Sequence, residues 1–119
     1  MYHLEACGYN LQDFRVPDNS GKQIQNEKIC KKTPLDEALK SKLDIQLVAS
    51  KLSKKHDVEI SDDPGRYLCN YVYFSSLNCF KEVENSCSLF VHIPPLNVKS
   101  HEENIKFMKD LLKILTNAD

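Results

Sequence analysis

Long apolar runs are missing from this chain. No uninterrupted stretch approaches the roughly 20 residues of a membrane helix, so no membrane association is expected. Excess charge of one sign is missing too. Sixteen basic and 17 acidic side chains leave a formal net charge of -1, and Lys31-Lys32 and Lys54-Lys55 are too short to make a basic patch. A nucleic-acid partner, which needs clustered Lys and Arg, is therefore not expected. The start, Met1-Tyr2-His3-Leu4-Glu5, has neither the basic region nor the apolar region of a secretory signal, which makes the cytosol the default compartment. No Cys-x-x-Cys occurs among Cys7, Cys30, Cys69, Cys79 and Cys87, and Cys79 to Cys87 is too wide for a zinc knuckle. These cysteines are read as thiols, and neither a metal nor another cofactor is expected. Internal repeats and low-complexity segments are also lacking.

What remains is an ordinary globular composition, 41% hydrophobic and 28% charged, in 119 residues. Such a chain can form one packed domain or part of one. Met1 to Cys7 suggests the end of a strand. Gly8 to about Lys32 is polar and turn-rich, with Pro17-Asp18-Asn19-Ser20-Gly21 a dense turn signal. Thr33-Pro34 predicts a helix start, with Leu35, Ala38 and Leu39 beginning its apolar stripe. Ile45, Val48, Ala49 and Leu52 have amphipathic-helix spacing. Val58-Glu59-Ile60-Ser61 predicts a short strand, and Arg66 to Leu77 a mostly apolar helix. Ser88 to Ile93 predicts a buried strand stopped by Pro94-Pro95. Ser100 and Glu103 form a capping box before a last helix whose stripe is Ile105, Met108, Leu111, Leu112 and Leu115. This alternation implies an α/β fold of three-layer α/β/α type with a mostly parallel sheet. So few short strands make the sheet incomplete on its N-terminal side.

Three residues draw attention chemically. Cys69 falls where Asp63-Pro64-Gly65 leads into a helix, and the helix dipole and unpaired amides there favour the nucleophilic thiolate. His92 ends an apolar strand, the place where active sites gather in α/β sheets, and imidazole suits the role of base to a thiol. Glu5 lies between Leu4 and Ala6, where a carboxylate is costly unless paired. Taken singly, each also fits a blander reading: a small buried thiol, a core histidine satisfied by a carbonyl, a surface acid. His3, His56 and His101 sit in weaker positions.

Three blocks, in order, resemble the pyroglutamyl-peptidase I family of intracellular cysteine peptidases. They are Leu4-Glu5-Ala6-Cys7-Gly8-Tyr9-Asn10 with Arg15-Val16-Pro17-Asp18-Asn19; Ile60 through Asn70 around Cys69; and Phe90-Val91-His92-Ile93-Pro94-Pro95-Leu96. The resemblance implies that Cys69 is the nucleophile, His92 the general base and then acid, and Glu5 the carboxylate that orients it. It further implies Val16 and Tyr67 against the pyroglutamyl ring, and Arg15 with the Cys69 amide as oxyanion donors. The substrates would be peptides with N-terminal pyroglutamate, cleaved through a thioester. Relatives begin with a strand and a Gly-Phe-Gly-Pro-Phe-type loop to which nothing here corresponds, and Pro64 replaces their small residue before Gly65. Residues 1–119 are thus read as a single partial domain, the C-terminal portion with all three triad positions. Its uncovered sheet edges are expected to invite self-association. Two other readings stay open: a binding protein that keeps the triad without the pocket, and a fragment that folds only with another chain.

Overall fold

In the computed structural model, which describes residues 1–116, strand β1 (Tyr2–Glu5) runs through the middle of a three-stranded sheet. Its order is β4-β1-β5, with β4 at Val58–Ser61 and β5 at Phe90–His92. β4 pairs with β1 in parallel, Tyr2 opposite Val58, while β5 pairs antiparallel, with Leu4 opposite Val91. The sheet is therefore mixed. A separate antiparallel pair joins β2 (Cys7–Tyr9) to β3 (Ala38–Lys40).

Alternation along β1 divides the molecule. Tyr2 and Leu4 face helices α1 (Ile45–Leu52) and α3 (His101–Leu115), where Ile45, Val48, Ala49, Leu52, Phe107 and Leu111 close the core. Burial of each large apolar side chain there contributes roughly 1.5–3 kcal/mol. The Tyr2 ring stacks on Phe107 at 3.8 Å between centroids, and its hydroxyl donates to Asn104 Oδ1 at 2.6 Å. Both helices start where the sequence provides a cap. Asp44 accepts from the Leu47 amide ahead of α1, and Ser100 with Glu103 forms the expected capping box ahead of α3.

Glu5 and Phe90 turn to the opposite face, where helix α2 (Leu68–Phe80) brings Tyr73 to within 5.9 Å of the Phe90 ring. Helix α2 also lies close on β2. A Cβ built on Gly8 would sit 3.0 Å from the Phe74 backbone nitrogen and 3.2 Å from its Cα. Backbone cannot yield there as a side chain could, so Gly8→Ala is expected to cost about 1–3 kcal/mol. Urea unfolding should then show a lower midpoint at unchanged slope.

Two expectations are corrected. Thr33-Pro34 starts no helix: Asp36 takes a positive φ of 59° and Ala38–Lys40 forms β3. Tertiary contacts override the local capping signal, because the fully buried Asn10 side chain holds the Thr33 and Pro34 carbonyls at 2.9 and 3.1 Å. The stripe of α3 is also turned. Asn104, Phe107 and Leu111 are buried, whereas Ile105, Met108 and Leu112 are exposed. The polar, turn-rich segment after Gly8 is folded back on itself. Gln12 bridges Glu27, the Phe14 amide donates to the Ile24 carbonyl, and Asp18 accepts from the Ser20 and Lys22 amides.

Candidate active site

The sheet register brings two of the three singled-out residues together. His3 lies opposite His92 and Glu5 opposite Phe90, so Glu5 and His92 are diagonal neighbours on one face. His92 Nδ1 is 2.8 Å from Glu5 Oε2. Because β5 runs antiparallel, His92 sits beside the middle of β1 rather than beyond its carboxyl end, and reaches Glu5 across the strand pair. The Glu5 carboxylate is almost wholly buried, while the imidazole keeps about a third of its surface open. With Nδ1–H donated to the carboxylate, Nε2 is the nitrogen left to accept or release a proton. Both groups line an open groove of about 450 Å³, shared with His3, Ser61, Asp62 and Pro64.

Cys69 is the second residue of α2 and half-buried. Among the described residues, no hydrogen bond joins its sulfur to His92. Its position is nevertheless constrained. Cys69 and Tyr73 are four residues apart and share one helix face. Tyr73 meets the Glu5 and Phe90 side of the sheet, with its hydroxyl 2.7 Å from the Glu5 carbonyl, and the Phe90 ring lies 4.9 Å from that of His92. The first turn of α2 is chemically bare: Tyr67, its N-cap, makes no side-chain capping bond, and no acidic residue sits in that turn. Its leading amides therefore face outward without an internal acceptor.

The segment entering α2 is firmly tied down. Gly65 takes φ +80°, a conformation other residues rarely adopt, and its amide donates to Asp63 Oδ1 at 2.9 Å. That bond is the main reason the Asp63 carboxyl sits below its ordinary range, despite some burial, with Arg66 adding to the effect. Arg66 also reaches Asp36 at 2.7 Å and lies over the Tyr9 ring at 3.8 Å. The Tyr9 hydroxyl donates to the Asp62 carbonyl at 2.6 Å; its pKa is pushed up to about 12, chiefly by its hydrogen bond with Cys7 and then by burial.

The other expected residues are less gathered. Tyr67 packs edge-on against Phe14 at 5.3 Å, forming an apolar corner beside the start of α2. Val16 is 54% exposed, and Arg15 is exposed with no ion pair among the described residues. Phe14 was not singled out by sequence; its lone aromatic ring within a polar stretch was the available signal. No cluster among the described residues could hold a metal ion, and no helix there is long and apolar enough to cross a membrane.

Residues 1–107 match the family described as pyroglutamyl peptidase. The pyrrolidone-carboxylate peptidase of Pyrococcus furiosus is 37% identical over 93 residues, covering 76% of this chain and 44% of the relative. That of Fusobacterium nucleatum is 34% identical over 95 residues, covering 78% and 44%. Among solved structures, a variant of pyrrolidone carboxyl peptidase from Pyrococcus furiosus superposes with a TM-score of 0.85 at 27% identity, covering 98% of this chain and 63% of the other. The enzyme from Thermococcus litoralis gives 0.82 at 28% identity, covering 95% and 58%. The chain thus spans a little under half the length of the curated relatives it matches.

Proposed function

Because the chain belongs to the pyroglutamyl peptidase family, we propose that it removes N-terminal pyroglutamate from peptides with Cys69, His92 and Glu5 as its catalytic group. The observation that carries this reading is the 2.8 Å contact between His92 Nδ1 and the buried Glu5 carboxylate, made across two strands on the face that α2 covers. In the first half-reaction His92 Nε2 takes the thiol proton and Cys69 Sγ attacks the pyroglutamyl carbonyl carbon. The C–N bond then breaks as His92 passes its proton to the departing amine, leaving a thioester on Cys69. In the second half-reaction His92 deprotonates a water that attacks the thioester; pyroglutamate departs, and the thiolate recovers the proton. Glu5 fixes the tautomer and stabilises the imidazolium without itself taking up a proton.

The bare first turn of α2 supports a role for the Cys69 amide toward the developing oxyanion, with Arg15 a second donor. Tyr67, Val16 and Phe14 supply apolar surface for the lactam ring, which carries no charge to be neutralised. Five unpaired cysteines suit a cytosolic setting. The free outer edges of β4 and β5 support self-association.

The test is release of fluorophore from a pyroglutamyl amide, with Cys69→Ala as control. Hydrolysis abolished by that substitution is expected; hydrolysis that survives it would refute the nucleophile. Iodoacetamide labelling gives a second reading. Cys69 should be alkylated faster than Cys7, Cys79 or Cys87. Cys30 is the demanding comparison, since its thiol is lowered, first by a hydrogen bond with Thr33. No histidine base is assigned to Cys30, so prior acylation by a pyroglutamyl substrate should protect Cys69 alone.

A further inference from the structure

We propose that Asn70 and Tyr73 are positioning residues that fix the nucleophile helix against the chain from Glu5 to Tyr9, a reading that rests on Cys69 being the nucleophile. Asn70 is adjacent to Cys69 in sequence and completely buried. A buried polar side chain in a helix is costly unless its bonds are satisfied. Those of Asn70 are spent on another element. Its Oδ1 accepts from the Tyr9 amide at 2.8 Å, and its Nδ2 donates to the Tyr9 carbonyl at 2.9 Å and lies 3.2 Å from that of Leu11. Both backbone groups of Tyr9, at the end of β2, are thereby held by one side chain.

Tyr73 repeats the device one turn later. Its ring is buried, and its hydroxyl donates to the backbone carbonyl of Glu5 at 2.7 Å. Desolvation pushes this phenol up to about 12, so it remains a donor throughout the working range of a thiol and an imidazole. Gly8, between Glu5 and Tyr9, allows the helix to come close enough for both bonds. The helix that carries the attacking residue is thus bolted to β1 at Glu5, which orients the base, and to the following strand β2 at Tyr9. Displacement of reacting groups by about 1 Å can cost a hundredfold in rate, so these bolts bear on catalysis as well as on folding.

The experiment compares the unaltered chain with Tyr73→Phe and Asn70→Ser by the pH profile of Cys69 alkylation, near-UV circular dichroism and pyroglutamyl amide hydrolysis. If Cys69 of the unaltered chain is alkylated no faster than Cys7, Cys79 or Cys87, the assignment of the nucleophile fails, and with it the premise. If it is faster, Tyr73→Phe is expected to keep the native spectrum and the KM while kcat falls by about tenfold or more, and Asn70→Ser to slow Cys69 alkylation toward the rate of the other cysteines. Native spectra with unchanged kcat and alkylation profile would overturn the proposal. Should Asn70→Ser fail to fold, graded urea on the unaltered chain decides its part. Protection of the Tyr9 amide from exchange and the faster alkylation of Cys69 must be lost together, and loss of one without the other counts against it.

Discussion

A chimera placing the N-terminal portion of the Pyrococcus furiosus relative ahead of these 119 residues is expected to hydrolyse a pyroglutamyl amide at least about a hundredfold faster in kcat/KM than the 119 residues alone. The chain covers 63% of the solved relative's chain, and the apolar surface proposed for the lactam ring is open here. Val16 and Tyr67, proposed to hold the lactam ring, are 54% and 37% exposed. Ile93, Leu96, Ile105, Met108 and Leu112 form a second open apolar surface between the segment after β5 and α3. Proximity and orientation can supply roughly 7–11 kcal/mol of a barrier, but only when the substrate is held from more than one side. The measurement is kcat/KM for both proteins with the same fluorogenic amide. Equal values would show that the residues present already build a complete pocket.

Removal of one buried amide should have the largest effect on folding. Asn10 is wholly buried, and its Oδ1 accepts from the Ile29 and Cys30 amides at 2.8 and 2.7 Å. Its Nδ2 lies 2.9 Å from the Cys30 and Thr33 carbonyls and 3.1 Å from that of Pro34. Asn10→Ala strands several of these groups away from water, at about 1–3 kcal/mol for each one left unpaired. A total loss of at least about 3 kcal/mol is expected, lowering the thermal midpoint by roughly 10 °C or more. Asn10→Asp keeps the acceptor and loses the donors, so it should recover only part of that loss. A thermal melt of Asn10→Ala within about 2 °C of the unaltered chain would show that this loop is not organised by the Asn10 side chain.

What could be read in the sequence was what local chemistry dictates. Ser100 and Glu103 announce their helix because caps act over three residues, and the spacing of Ile45, Val48, Ala49 and Leu52 suffices to place α1. Glu5 and His92 were legible as a pair only through the resemblance, since the register joining them spans 87 residues. The failures share one cause. Thr33-Pro34 has the form of a helix start, but a side chain 23 residues earlier claims its carbonyls. In α3 two overlapping apolar stripes compete. The buried one includes the polar Asn104, which earns its place only as acceptor for the Tyr2 hydroxyl, 102 residues away. Asn70 was hidden in the same way, as an ordinary polar helix residue until its partners at Tyr9 and Leu11 are known.

The central place of β1 bears on how the chain is made. Tyr2–Glu5 precedes both of its partners along the chain: the parallel one begins at Val58 and the antiparallel one ends at His92. The parallel flank cannot close until Ser61 has been made, nor the antiparallel flank until His92, and parallel pairing over such separations forms slowly. Until then a strand carrying Tyr2 and Leu4 on one face keeps unpaired edges open to capture by other nascent chains. Slowing translation after His92 should therefore do little for the yield of soluble protein, whereas a chaperone engaged on β1 should raise it.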